Sequence, residues 1–572
     1  MKRAALALLL AGTALPVSAQ QPRPNIVLII ADDWGFSDPG SYGSEIATPH
    51  LDALARAGTR FASFHVAGSC SPTRAMLLTG VNSHRAGLGN MPETIPPQHQ
   101  GKPGYNAVLA PGVTTLAQRL RTAGYATLYA GKWHLGHDAA DLPTARGWDR
   151  ALALSQSGAD NWENKPNRLL YERADWTRDG KTARLPRRFY SSTLIVDEAI
   201  AQIDGAGRKP FFATLGFLAN HIPLQAEGAD IARYRGRYDG GWSALRAARA
   251  AGVTRAGVLP AAERVTMPDT RDWAALPAAE RARWARAMQV YGGMATAMDR
   301  EVGRLVAHLK ARGVYDNTIF VFVSDNGAEP TNPQATPFLR FNASLNYDVS
   351  PDRQGQPGSL TYIGASWASA AVSPLKGSKF SASEGGVRVP FTITLPPAMA
   401  QQRGGVATAP AHAIDLAPTL LAAARVADVA GLEGRSLLPA LGDGSAQVHP
   451  DDESIGFELS GNAALYQGTM KLVKNLPPYG DGSWHLFDIA ADPGETRDLA
   501  AAQPARFAAM QAAWADWARA NQVLPMPAGY AAPQQIQANA TRNLLPGRTA
   551  PLAAALWLLA LAVWTGRRWR AG

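Results

Sequence analysis

Asn25-Ile26-Val27-Leu28-Ile29-Ile30-Ala31-Asp32-Asp33 is the stretch from which the fold of this chain is read. An apolar run of seven residues, opened by a single Asn, breaks off in two carboxylates. Three further runs end in polar residues of chemical interest. Ala126 to Ala130 enters Gly131-Lys132-Trp133-His134, Phe211 to Phe217 leads to Asn220-His221, and Ile319 to Ser324 leads to Asp325-Asn326. Short β-rich runs of this kind alternate with helical stretches, which favours a mostly parallel sheet covered by helices on both faces. In such open α/β sheets, ligands bind beyond the carboxyl ends of the strands. If the four runs are neighbouring parallel strands, their polar ends converge on one site. A single run would mean little, because surface loops are polar anyway; four together point to an active site.

The composition allows this. Of 572 residues, 46% are apolar and only 18% charged, enough for one large α/β domain and a smaller one. No internal repeat is present. The net charge is +10, but Lys2, Arg3 and the tail arginines Arg567, Arg568 and Arg570 supply half of it. What remains is mild and dispersed. It helps to attract small anions and excludes nucleic acid, which would call for a basic patch with aromatic stacking.

One cysteine stands in the whole chain, in Cys70-Ser71-Pro72-Thr73-Arg74, with Ala75-Met76-Leu77-Leu78-Thr79-Gly80 behind it. An exported chain normally pairs its cysteines or has none, so a lone one needs explaining. A buried small hydrophobe is the bland alternative, but it does not account for the neighbours. Pro72 suits the first position of a helix with Ser71 as its cap, and Gly80 ends it. Cys70 then lies at a helix N-terminus, with Arg74 one turn on and able to reach back.

Cys70-x-Pro72-x-Arg74 followed by Leu78-Thr79-Gly80 resembles the signature of the type I sulfatase family, in particular bacterial arylsulfatases. The likeness covers essentially Asn25 to Asn521 and includes Thr48-Pro49-His50-Leu51-Asp52 and Ala491-Asp492-Pro493-Gly494-Glu495-Thr496. It implies an alkaline-phosphatase-like α/β fold, a mostly parallel sheet flanked by helices with a smaller C-terminal α+β subdomain. It also implies that Cys70 is oxidised to formylglycine by a formylglycine-generating or sulfatase-maturating enzyme. The hydrate of that aldehyde then attacks sulfur.

Asp32, Asp33, Asp325 and Asn326 offer only oxygen donors, which suit Ca²⁺ or Mg²⁺ rather than zinc. A capped turn is the commoner meaning of any one such pair. The resemblance implies one calcium ion on these four residues. It further implies that Lys132 holds the nucleophile's oxygen, and that His134, rather than nearby His137, takes the proton when the covalent intermediate collapses. His221, in His221-Ile222-Pro223-Leu224-Gln225, would give a proton to the leaving group. Lys379, five residues before Glu384-Gly385-Gly386-Val387-Arg388, would bind sulfate, with Lys376 as runner-up. Arg74, Lys132, Lys379 and the metal would form an anion cradle.

The termini read separately. Residues 1–19 have the charged start, apolar run and small-x-small end of a signal peptide, giving a mature start near Gln20. The catalytic domain is expected over 20–405 and a C-terminal subdomain over 406–522, closed by a helix from Pro504 to Asn521 packing back on the main domain. Residues 523–548 read as a tether, so that everything after about Leu524 is expected to be dispensable. Residues 549–566 are uncharged and precede three arginines, as in a membrane anchor or a sorting tail. The chain is thus expected in the periplasm or cell envelope, held to the inner membrane by this segment.

The expected reaction is hydrolysis of sulfate monoesters of aryl type, on a small-molecule or glycan substrate. The rivals are a phosphonate or phosphate monoester hydrolase of the same superfamily and an unmatured anion-binding surface protein. Specificity is expected in the loops 158–188 and 233–272, where Trp162, Tyr171, Trp176 and Trp242 could touch a ring or a sugar.

Overall fold

The computed structural model describes residues 22–261, 270–400 and 404–544. The expected signal peptide and the apolar 549–566 segment lie outside them. Among the described residues, no helix is long and apolar enough to cross a membrane.

The four apolar runs are neighbours, as the sequence suggests. Thr318–Ser324, Asn25–Ala31, Phe211–Gly216 and Ala126–Lys132 lie side by side and parallel, with Arg150–Leu154 parallel beyond them. Outside this block the sheet is mixed. Phe391–Thr394 runs antiparallel to Thr318–Ser324 and passes the sheet on to Thr59–Phe61 and Gly405–Ala407. Two short antiparallel strands close the other edge.

Alternate residues of each central strand enter opposite cores, since side chains in a strand point to alternate faces. Val27, Ile29, Phe320 and Phe322 pack with the helices Ser191–Gly205 and Ala278–Ala311. Ile26, Leu28, Ile30, Ile319 and Val321 pack with Cys70–Thr79, Leu116–Thr122 and Leu416–Ala423. Burial on both faces is why these strands read as unbroken apolar runs.

The boundary expected at 405/406 cuts through this body, because Gly405–Ala407 belongs to the main sheet and Leu416–Ala423 to its core. The smaller sheet begins at Ile455. It is antiparallel, in the order Ile455–Leu459, Asn462–Gln467, Met470–Lys474, Trp484–Asp488. Phe457, Ala464, Tyr466, Val473 and Phe487 face the main core, whereas Leu465, Leu472 and Leu486 face outwards. The helix Pro504–Ala520 covers that outer face through Met510, Phe507 and Trp514, and so does not pack on the main domain as expected.

A buried ionic network joins the two sheets. Glu384 receives His65, Arg388, Lys471 and the Tyr466 hydroxyl, and Lys471 also meets Glu495 at 2.8 Å. Two of the recognised motifs, around Glu384 and Glu495, therefore meet as a tie between domains.

Candidate active site

The polar ends of the four parallel strands meet beyond the carboxyl ends of the central sheet, and the helix Cys70–Thr79 starts against them. Its cap residue is Ser69, two positions before the expected Ser71, so Cys70 is the first helical residue and Pro72 the third. Gly80 ends it in a left-handed conformation, as read from the sequence. Cys70 is fully buried, with Sγ 3.6 Å from Asp32 Oδ1.

Asp32, Asp33, Asp325 and Cys70 bring one ligand-type atom each within 4.8 Å of one another, all of them buried. Asn326 joins them, its Nδ2 donating to Asp33 Oδ1 at 2.6 Å. Two glycines permit the approach. A Cβ on Gly327 would stand 1.9 Å from the Gly385 carbonyl oxygen, and one on Gly131 2.0 Å from that of Gly216. Asp33 and His134 both have positive φ, 62° and 57°, in the left-handed region that costs residues with a Cβ about 1–3 kcal/mol.

The cations stand among these acids. Lys132 Nζ lies 2.7 Å from Asp32 Oδ2; Lys379 Nζ lies 2.7 Å from Asp33 Oδ1 and 2.9 Å from Glu329 Oε2. Arg74 does not turn back to Cys70 as expected. It donates from Nε to Asp325 Oδ2 at 2.8 Å and from Nη1 to the Lys132 carbonyl at 2.8 Å. Lys376 has no place in this cluster, and His137 is exposed beside Asp138.

The donor set fits a hard divalent cation. Four buried acids (Asp32, Asp33, Asp325, Glu329) face three cations (Lys132, Lys379, Arg74), one acid more than the protein's own cations can neutralise. Burial, and then Asp325 beside it, pushes Asp32 up to about 8; burial pushes Asp33 up to about 6. Asp33 Oδ2 and Asn326 Oδ1 are buried without a hydrogen-bond partner. Oxygens of this kind are what Ca²⁺ or Mg²⁺ takes.

Two histidines flank the acids. His134 is buried; its Nε2 lies 3.4 Å from Glu93 Oε1, and Ser71 Oγ lies 3.3 Å from its Nδ1. Burial lowers its proton affinity, which Glu93 partly restores. Glu93 is itself held down to about 2, where burial is outweighed by His134 and by hydrogen bonds that include one from the Tyr171 hydroxyl. His221 turns its Nδ1 to the Ile222 carbonyl at 2.8 Å and its Nε2 towards Asp33 Oδ2 at 4.0 Å. Burial, Lys379 and Lys132 press its proton affinity well down.

All ten residues singled out in the sequence thus lie in or beside one cluster. Glu93 and Glu329 were missed, because an acid in Met91-Pro92-Glu93-Thr94 or in a strand-following loop carries no pattern of its own. Of the aromatic residues expected to meet substrate, Trp176 and Trp242 are in the core, while Tyr171 backs Glu93.

A family model described as Sulfatase matches residues 24–426, well over half of the chain. The chain belongs to the sulfatase family. It is 35% identical over 516 residues to an uncharacterized sulfatase of Schizosaccharomyces pombe, covering 85% of this chain and 92% of that one. With an arylsulfatase of Klebsiella aerogenes it shares 34% over 461 residues, covering 78% and 96%. Among solved structures it is similar to Ps i-CgsB, crystallised in complex with k-i-k-neocarrahexaose, with a TM-score of 0.62, 26% identity and coverage of 86% and 92%. This sulfatase is therefore a sulfuric ester hydrolase with the alkaline-phosphatase-like fold.

Proposed function

We propose that this sulfatase hydrolyses sulfate monoesters with Cys70, converted to formylglycine, as the nucleophile and with one Ca²⁺ on Asp32, Asp33, Asp325 and Asn326. The observation that carries this is the packing of Cys70 with three buried acids, Asp32, Asp33 and Asp325, in a cluster where, with Glu329, four acids meet three cations. The metal would supply net positive charge to polarise a sulfate oxygen, and formylglycine would supply a hydrated aldehyde in place of the thiol. The thiol as it stands is a poor nucleophile, because burial holds its proton on.

The protein's own groups have distinct parts. Lys132 and Lys379, buried and donor-only, neutralise negative charge that develops on substrate oxygens and hold them in place. Arg74 bonds Asp325 and the Lys132 carbonyl, fixing a carboxylate on one side and the lysine strand on the other. With Nε2–H directed at Glu93, His134 keeps Nδ1, 3.3 Å from the Ser71 hydroxyl, as the nitrogen that accepts a proton. His221 faces the acids through Nε2; an incoming anion raises its proton affinity and lets it donate to the leaving oxygen.

Ps i-CgsB was crystallised with a neocarrahexaose, and this likeness supports a sulfated glycan as a substrate class alongside simple aryl sulfates. Turnover of an aryl sulfate by wild type and by Cys70→Ala, with folding checked by circular dichroism, tests the reading. A folded, inactive variant is expected; a folded variant with wild-type turnover would overturn it.

A further inference from the structure

Residues 524–544, expected to be a loose tether, lie against the body. The Leu524 N–H donates to the Tyr105 hydroxyl oxygen at 2.9 Å, and His99 Nε2 meets the Pro525 carbonyl at 3.2 Å. The Tyr530 hydroxyl donates to the Thr94 carbonyl at 2.8 Å. From residues 532–544, which are helical, Asn539 Nδ2 donates to the carbonyls of both Glu93 and Ile95 at 3.0 Å. Ile536 packs with Met91 and with Phe380, the residue after Lys379.

These contacts share a target. Three consecutive carbonyls, at Glu93, Thr94 and Ile95, are taken by two side chains of this segment. The turn Pro92–Thr94 is a single short 3₁₀ turn, closed by the Thr94 N–H on the Met91 carbonyl at 2.8 Å. The contacts on its outer carbonyls, together with the Tyr171 hydroxyl on the carboxylate itself, therefore fix where Glu93 points. That carboxylate is the one on His134 Nε2.

We propose that residues 524–544 form a strap that sets Glu93 against His134, with Asn539 and Tyr530 as positioning residues for the proton transfer. This rests on the reading of His134 as proton acceptor. The groups facing His134 are Glu93 from the turn, Ser71 and Arg74 from the Cys70 helix, Lys132 from its own strand, Tyr171 behind Glu93, and His221. Lys132 and Arg74 lower its proton affinity, and Glu93 is what opposes them. A slackened strap therefore weakens both the proton affinity and the tautomer control of His134.

The test uses the full chain, loaded with calcium. The pH dependence of kcat/KM is measured for Glu93→Gln, Asn539→Ala, Tyr530→Phe and each strap variant combined with Glu93→Gln. The His134 ring is titrated in parallel by NMR on histidine-labelled protein, its signal assigned by loss in His134→Gln. Glu93→Gln should move the acid-side midpoint and the ring titration down by about one unit. Asn539→Ala and Tyr530→Phe should move them the same way by less, and should add nothing once Glu93 is Gln. Strap variants with an unmoved ring titration, or with undiminished effects in the Glu93→Gln background, would overturn the proposal. Tyr530→Phe removes one hydroxyl and keeps the test available if Asn539→Ala does not fold. If His134→Gln retains turnover, the assignment of His134 falls, and the ring titration still decides the strap.

Discussion

Lys379 Nζ lies 2.7 Å from Asp33 Oδ1, an ion pair formed where neither partner meets solvent. Such a pair is costly to bury and is retained where the charges do something else. Here the lysine compensates part of a cluster in which four acids meet three cations, which leaves one acid for a metal ion to satisfy. Asp325→Ala should therefore lose bound Ca²⁺, measured by metal analysis after gel filtration, and lower kcat by orders of magnitude. Full turnover in a sample shown to be free of metal would contradict the assignment.

The same charge count sets the preferred ester. A sulfate monoester brings one negative charge and a phosphate monoester nearly two. Among the described residues, both ligand groupings share Asp32 and Cys70, so no separate cluster offers a second metal. On an aryl sulfate and the phosphate of the same phenol, kcat/KM should be higher for the sulfate. An equal or higher value for the phosphate would move the chain to the phosphohydrolase side of the superfamily.

The central strands and the site's place at their carboxyl ends were legible, because double burial and chemistry leave strong marks at residues 25–33, 126–134, 211–221 and 319–326. Cys70 and Arg74 stood out by the lone cysteine's motif, and Lys379 by the family resemblance alone. Glu93 was not legible, since its role comes from a tertiary meeting with His134, 41 residues on. Nor was the docking of 524–544. Its polar and small residues read as a linker, yet two of them, Asn539 and Tyr530, satisfy carbonyls of a distant turn. The cap of the Cys70 helix slipped by two residues for a simpler reason. Pro is allowed anywhere in a first turn, where no intrahelical N–H bond is lost.

Glu384 is a structural acid. It meets His65, Arg388 and Lys471 with both oxygens and no exposure. Glu384→Gln should cost roughly 3–5 kcal/mol, as breaking a buried ionic network does. Chemical denaturation measures it. An unchanged midpoint and slope would mean that the two sheets are held by apolar packing alone.

His449 gives stability a pH signature. Burial works against its charge, but Asp415 at 2.9 Å and Glu453 at 3.0 Å outweigh it, so its proton affinity is raised in the fold. A raised value stabilises below the unfolded value of about 6.5 and is lost as pH climbs through the folded one. Wild type should exceed His449→Asn by about 1.5–3 kcal/mol at pH below 6, with the gap closing towards alkaline pH. A gap that does not vary with pH would exclude a charged His449.

A mass spectrum of the tryptic peptide that contains Cys70 decides whether the nucleophile is formylglycine. Protein purified from a host with a formylglycine-generating enzyme and shown to turn over an aryl sulfate should yield this peptide with the mass of the aldehyde at position 70, reactive towards a hydrazide. An equally active preparation whose position 70 is entirely thiol would exclude formylglycine as the nucleophile.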